Sequence, residues 1–219
     1  MSRHPPDRTT GRPVIVLGAG GHAKVLVATL RRLNIPVIGC VVADPALETA
    51  AVLGAPILGG EDELARHDNA SIDLVNGLGM LRPGSARMQL HGEWARRGWR
   101  FARVVDPTAV VGPEVEIGEG AQIMAGAVIQ PGCRIGVSTI VNTRAGVDHD
   151  CRIGDHVHIA PGATLSGGVT VGDGSHLGTG CVVIEGLRIG RGCLIAAGAV
   201  VVADVADGAT ATGIPARPR

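Results

Sequence analysis

Aliphatic residues recur at every sixth position from Val105 to Val201, namely Val105, Val111, Ile117, Ile123, Ile129, Ile135, Val141, Val147, Ile153, Ile159, Leu165, Val171, Leu177, Val183, Ile189, Ile195 and Val201. All seventeen positions are filled and no insertion breaks the phase, a regularity that composition alone does not produce. Two residues before each lies a second, mostly small register that includes Ala121, Ala127, Cys133, Thr139, Ala145, Cys151, Ala163, Ser175, Cys181, Cys193 and Ala199. A spacing of two puts both registers on one side of a short strand. Each hexad then contributes one large and one small inward side chain before turning. Glycine directly after the aliphatic, at Gly112, Gly118, Gly136, Gly154, Gly172, Gly178 and Gly190, is expected to make the corner, where a Cβ is unwelcome. The pattern predicts a β-helix of hexapeptide coils over 106–204, with a short C-terminal tail over 205–219.

Residues 13–105 follow a different grammar. Pro13 to Leu17 reads as a strand running into the turn Gly18-Ala19-Gly20-Gly21-His22, and the apolar spacing of Val25, Leu26, Thr29, Leu30 and Leu33 predicts a helix behind it. Val37 to Val42 and Ile72 to Val75 read as further strands, Glu61 to His67 and Ser85 to Arg97 as helices, and Arg100 to Val105 as a strand entering the repeat. This makes a small parallel α/β unit, half of a dinucleotide-binding fold in size, preceded by a polar tail over 1–12 that is expected to be flexible.

Only Trp94, Trp99 and Phe101 are aromatic, whereas 34 residues are glycine, so the core must be built from aliphatics, alanine and cysteine around repeated turns. Twenty basic and twenty acidic residues cancel, which gives no electrostatic support for binding nucleic acid or an anionic membrane. No apolar run is long enough to span a bilayer and no secretory leader precedes the first strand, so a cytoplasmic protein is expected. The five cysteines form no CxxC pair; Cys133, Cys151, Cys181 and Cys193 fall in the small inward register and read as core.

Two constellations carry chemistry. The turn at Gly18, Gly20, Gly21 and His22 follows a strand and opens a helix, a place where backbone N–H groups meet phosphate oxygens; the competing reading is a tight turn without a ligand. Asp44, at the end of the second strand, stands where a ribose or base contact is expected, and a unit this small suits one nucleotide better than NAD. The second is His149-Asp150 at a β-helix corner, where a carboxylate can orient an imidazole and stabilise its protonated form, the arrangement of a general base. His158 points outward between two inward residues, and His176 repeats it eighteen residues later, so eighteen-residue coils place their rings about 4.8 Å apart. His156, at another corner, reads as a solvated side chain.

The residues Gly18 to His22, Asn142-Thr143, His149-Asp150-Cys151, Ile153-Gly154-Asp155, His158 and the closing Gly213-Ile214-Pro215-Ala216-Arg217 resemble the nucleotide-sugar acetyltransferases of the sialic-acid O-acetyltransferase and bacillosamine-pathway N-acetyltransferase family. The resemblance covers nearly the whole chain after residue 12. It implies a left-handed β-helix with three hexads per coil, a homotrimer with each active site between two subunits, and transfer of acetyl from acetyl-CoA to the 4-amino group of a GDP- or UDP-linked 4-amino-4,6-dideoxyhexose in glycan or O-antigen synthesis. It further implies His149 as base with Asp150 orienting it, and Gly18, Gly20, Gly21, His22, Asp44 and Asn142 toward the nucleotide sugar. On the acetyl-CoA side it implies His158, Gly167, Gly178, Thr179, Ala197, Gly213 and Pro215, with no metal. Asp150 departs from the glutamate of the bacillosamine enzyme, which keeps the role and leaves the sugar open. A sugar O-acetyltransferase, a zinc enzyme of carbonic-anhydrase type using His156, His158 and His176, and a non-catalytic scaffold are the competing readings.

Overall fold

The computed structural model describes residues 11–43, 50–80, 82–83 and 86–218. The N-terminal unit contains β1 (Val14–Leu17), α1 (Gly21–Arg32), β2 (Val37–Val41), β3 (Ala51–Val52), β4 (Ala55–Gly59), a 3-10 turn (Glu61–Arg66), β5 (Asp73–Asn76) and α2 (Ala86–Arg96). Its sheet runs β3-β4-β2-β1-β5. β1 is parallel to β2 and β5, and β2 to β4, while β3 is antiparallel to β4. The sheet is thus not wholly parallel, and the β3–β4 hairpin is missed in the sequence. Its loop, Leu53-Gly54, has φ of 47° and 79°, the double positive φ of a type I′ turn, without the Asn-Gly or Asp-Gly that usually announces one. The helix expected over Glu61 to His67 is a single 3-10 stretch, flanked by extended Gly60 and His67.

From Val104 onward, two-residue strands stack in parallel on three faces. The first face carries Val104–Val105, Gln122–Ile123, Ile140–Val141, His158–Ile159, His176–Leu177 and Leu194–Ile195. The second carries Val110–Val111, Val128–Ile129, Gly146–Val147, Thr164–Leu165, Val182–Val183 and Val200–Val201, and the third Glu116–Ile117, Arg134–Ile135, Arg152–Ile153, Thr170–Val171 and Arg188–Ile189. Register partners are eighteen residues apart, as in Ile140↔His158 and His158↔His176, so one coil is three hexads. Both inward registers form one core, with Val115, Ile123, Ile129, Val141, Ile159 and Leu177 among its buried members.

Small inward polar residues do a second job. Thr139 and Ser175 donate from Oγ to the carbonyls of Gly154 and Gly190, each at 2.8 Å, while the thiols of Cys133 and Cys151 donate to those of Asp148 and Ser166 at 2.9 and 3.2 Å. In each case the acceptor lies fifteen residues on, at the corner just before the donor's strand but one coil higher, whose carbonyl would otherwise go unmet inside the coil. All five cysteines are free and buried, and burial pushes the thiols of Cys151 and Cys181 up to about 12, which leaves them unreactive.

The corner glycines need a different explanation from the expected one. Positive φ falls three residues after the aliphatic, at Gly120, Gly126, Gly162 and Gly180, and also at Glu114, Ser138, Arg144, Asp150 and His156. The glycine directly after the aliphatic is demanded instead by stacking. A Cβ on Gly118 would lie 2.6 Å from the Gly136 carbonyl carbon, and one on Gly172 would lie 2.7 Å from the Arg191 nitrogen. Only the corner between the third and first faces is glycine throughout, at Gly118, Gly136, Gly154, Gly172 and Gly190. The hexad phase slips after Val201, yet stacking continues through the bridge Ile189↔Val205 and the strand Thr210–Gly213, which pairs with Leu194–Ile195 and folds back on Ala216–Pro218. The C-terminal segment therefore extends the first face.

The α/β unit docks on that same face. Val104, Met124 and Ile140 point outward from it and join a buried cluster with Val14, Val16, Ala23, Leu26, Val27 and Leu30. Polar ties reinforce the seam: Arg32 pairs with the buried Asp106 carboxylate, which Thr29 Oγ1 also meets at 3.1 Å, and Glu119 accepts from the Phe101 N–H at 2.8 Å.

Candidate active site

His149 and Asp150 occupy the corner between the second and third faces. The register that puts Val147 and Cys151 inside forces the residues between them out, and Asp150 takes a left-handed φ of 60°, which aspartate tolerates. Asp150 Oδ2 lies 2.8 Å from His149 Nδ1, with both side chains well exposed. This fixes Nδ1 as the protonated nitrogen and leaves Nε2 free to accept a proton. The hydrogen bond His149 donates to Asp150 is the main reason its imidazole is held above its ordinary value of 6.5, with the charge of Asp148 adding to it.

One coil higher, Gly167 stands directly over this ring. A Cβ there would lie 2.5 Å from His149 Nε2 and 2.6 Å from Cε1, so glycine is required for the imidazole to sit where it does. The Gly167 N–H engages no acceptor among the described residues. A basic nitrogen and an unspent N–H donor thus share one exposed corner.

The other predicted polar residues gather on the first face, under the α/β unit. His158 and His176 stack edge to face with ring centroids 4.9 Å apart, in the expected register, but they are not on an open surface. His158 is 8% exposed; its Nδ1 donates to the Met80 carbonyl at 2.8 Å, and Nε2 therefore accepts from Asn142 Nδ2 at 3.0 Å. Burial pulls its pKa down to about 3, so the ring is neutral at pH 7. Both nitrogens are engaged within the chain, by Met80 and Asn142. Asn142 Oδ1 accepts from the Thr143 N–H at 2.7 Å, so its amide is held in one orientation.

The glycine-rich turn lies at the edge of this face. Gly18 has φ of 104° and needs to be glycine for that reason. Gly20 and Gly21 are exposed, and a Cβ on either would meet nothing within 4 Å, so the chain's own packing gives no reason for glycine there. Gly20 caps α1 without a side-chain hydrogen bond and no acidic residue sits in the first turn, which leaves the positive helix end open to an anion. His22 is turned away from that opening: its Nε2 donates to Gln122 Oε1 at 2.7 Å, and burial pulls its pKa down to about 4. Asp44 lies outside the described residues.

Gly178, Thr179 and Ala197 sit on the corner between the first and second faces. Gly178 needs no ligand to explain it, because a Cβ would lie 2.5 Å from the Ala197 nitrogen. Gly213 ends the strand Thr210–Gly213 and Pro215 lies in the turn to Ala216–Pro218, at the end of the first face. His156 is not solvated as expected. Its ring packs against His91 with centroids 5.2 Å apart beneath α2, its Nδ1 is buried without a partner, and burial lowers its pKa. His156 therefore faces a different neighbour from His158 and His176; among the described residues no cluster of three or more His, Cys, Asp or Glu is arranged for a metal ion.

A parallel β-helix with a histidine–carboxylate pair at one corner, abutting a small α/β unit with an open glycine turn, defines the class: a hexapeptide-repeat acyltransferase. No protein-family model matches the chain, and no curated protein sequence does. Among solved structures, a mutant of perosamine N-acetyltransferase from Caulobacter crescentus, in complex with CoA and GDP-perosamine, is 38% identical with a TM-score of 0.88, the match covering 96% of this chain and 98% of that one. The acetyltransferase domain of PglB from Neisseria gonorrhoeae, also solved with acetyl coenzyme A, is 36% identical with a TM-score of 0.87 over 95% of this chain. It is matched over 100% of its own length without the ligand and 99% with it. WeeI from Acinetobacter baumannii is 27% identical with a TM-score of 0.83, covering 94% and 99%. The chain belongs to the acetyl-CoA-dependent nucleotide-sugar N-acetyltransferase family.

The sequence had not singled out Gln122, Arg87 or the Asn76–Met80 segment, all of which border the site. Their one signal was Gly77-Leu78-Gly79 directly after a strand, a second glycine turn beside the first.

Proposed function

We propose that this protein transfers acetyl from acetyl-CoA to the 4-amino group of a GDP- or UDP-linked 4-amino-4,6-dideoxyhexose, with GDP-perosamine the first substrate to try. The observation that carries the reading is the His149–Asp150 pair set against Gly167. The sugar amine attacks the thioester carbonyl, the C–N bond forms as the C–S bond breaks, CoA leaves, and His149 Nε2 takes the amine proton. The unspent Gly167 N–H is placed beside that base, where charge develops on the carbonyl oxygen. Gly18, Gly20 and Gly21 receive the diphosphate at the α1 end, Asp44 contacts the nucleoside, and Asn142, fixed by His158, contacts the sugar.

A single chain does not complete this site. His149 sits at the vertex opposite the first face, whereas Asn142, His158 and the glycine turn lie on or beside that face. One substrate cannot reach both across the β-helix. The second face runs between the two half-sites, bordered by the His149 corner on one side and by Asn142, Thr179 and Ala197 on the other. Its outward residues, Val110, Val128, Gly146, Thr164, Val182 and Val200, carry no charge, unlike Glu116, Arg134, Arg152 and Arg188 of the third. We assign the second face to contacts between copies in a closed homotrimer, which brings His149 of one subunit to the nucleotide-sugar half of the next.

The test is a panel of GDP- and UDP-linked 4-amino sugars and their 4-hydroxy counterparts, with CoA release and product mass followed. Acetylation of the amines supports the reading; acetylation of the hydroxyl compounds alone overturns it in favour of O-transfer. Sedimentation of wild type and of Val182→Glu checks the assembly. A wild-type monomer, or a variant that stays trimeric and active, overturns the second-face assignment.

A further inference from the structure

Arg87, on α2, is 2% exposed and has no carboxylate partner among the described residues. Burying an uncompensated guanidinium costs several kcal/mol, and filling space with a neutral side chain would avoid that cost. The arginine is explained by what its fork reaches. Nη1 donates to the carbonyls of Asn76 at 2.8 Å and Leu78 at 2.7 Å, and Nη2 to the carbonyl of Ser138 at 3.2 Å and its Oγ at 3.4 Å. Asn76 and Leu78 belong to the segment after β5, whereas Ser138 belongs to a β-helix corner. Asn76 Nδ2 returns a bond to the Arg87 carbonyl at 2.9 Å, closing the clamp.

That segment lies between the glycine turn and the His158–Asn142 pair. Leu78 Cδ2 lies 3.0 Å from where a Gly18 Cβ would be, and Gly79 is placed so that its own Cβ would lie 3.6 Å from His22 Cβ. Gly77 backs onto the end of β1, where a Cβ would lie 2.7 Å from the Leu17 carbonyl oxygen. At its far end the Met80 carbonyl accepts from His158 Nδ1 and so fixes the tautomer that presents Nε2 to Asn142. Gln122 is a second strut, its Nε2 donating to the Asn76 carbonyl at 2.8 Å while Oε1 accepts from His22.

We propose that Arg87 is a positioning residue that couples nucleotide-sugar binding to the His158–Asn142 pair, by pinning the Asn76–Met80 segment between the glycine turn and the β-helix. The proposal rests on the reading above that the nucleotide sugar lies along Gly18 to Gly21. Charge alone does not do this: a lysine keeps the charge but cannot bridge carbonyls on two bodies with a planar fork.

The experiment compares wild type with Arg87→Lys and, separately, Gln122→Met, which removes the second strut. Arg87→Lys is expected to raise KM for the nucleotide sugar about tenfold and to lower kcat about tenfold, since a slightly misplaced acceptor reacts slowly, while KM for acetyl-CoA stays within about twofold. Gln122→Met is expected to give the same pattern at a few-fold amplitude. A variant that melts earlier but keeps wild-type kinetics well below its melting temperature overturns the coupling, because a merely structural residue behaves that way. If Arg87→Lys does not fold, Gln122→Met decides by the same criterion. If wild type acetylates none of the sugars, the proposed function has failed. The coupling is then read from GDP and UDP affinity by calorimetry, where equal affinity in wild type and variants, or no binding by wild type, overturns it.

Discussion

The α/β unit and the β-helix build cores in opposite ways. All three aromatics, Trp94, Trp99 and Phe101, pack in one layer of the α/β unit with Ile15, Leu17, Val41, Leu64 and Leu74. The β-helix core has none, and fills each coil with one branched aliphatic and one small residue. The first solution needs particular tertiary partners, such as the edge-to-face Trp94–Trp99 pair with centroids 6.3 Å apart. The second repeats one local solution coil after coil, with its inward strand positions committed to packing and outward ones of the first face to the docked unit. The proposed chemistry lies instead at a corner, where His149 and Asp150 project from a frame they do not support.

The sharpest way to break that contrast is at the corner itself. His149→Ala is expected to lower kcat by about 10²–10⁴ while leaving the melting temperature and acetyl-CoA affinity near wild type, since an exposed imidazole holds up no core. Near-normal turnover at saturating substrate would sink the assignment of the base.

Gly167→Ala asks whether the frame alone can disable the corner. The new methyl would occupy the space of the His149 ring, and the exposed ring can swing aside, so the cost should fall on geometry rather than stability. A loss of about ten- to a hundredfold in kcat with unchanged thermal stability is expected. An active Gly167→Ala would mean that the ring position seen here is not the working one.

The same contrast explains what was legible in the sequence. The hexad repeat made the inward registers and the outward placement of His158 and His176 legible, because each coil depends only on its neighbours, whereas the three-hexad coil came from the family resemblance. It could not give the docking of the α/β unit on the first face, which buries His158 and turns His22 toward Gln122; those contacts join residues a hundred positions apart in the chain. The β3–β4 hairpin was hidden for a smaller reason, a turn made by Leu-Gly. The corner glycines are plain in the sequence but their cause is not, since the clash that requires them is with the coil above.

Cys151→Ala sharpens the comparison from the inside. Cys151 follows the His149–Asp150 pair directly, yet its thiol points into the core and donates to the Ser166 carbonyl at 3.2 Å. Thermal or denaturant unfolding should show a loss of about 1–2 kcal/mol, with kcat close to wild type. A thiol-blocking reagent that inactivates the folded wild type but spares this variant would show the core assignment to be wrong.

The smallest expected effect is the most specific to the corner. Asp150→Asn keeps the shape and suits the left-handed backbone at this position, so the fold should be untouched. It removes the carboxylate whose hydrogen bond is the main cause holding the His149 pKa above 6.5. The proposed base works in its neutral form, so in wild type kcat should rise with pH through a pKa above that ordinary value and then level off. In the variant the imidazole loses its proton more readily, and the acid limb should move to lower pH. The plateau should fall as well, by less than in His149→Ala, because the ring is less well oriented and its protonated form less stabilised. A pH profile of kcat measures both changes at once, and an acid limb that stays in place or moves up would show that Asp150 does not set the proton affinity of this base.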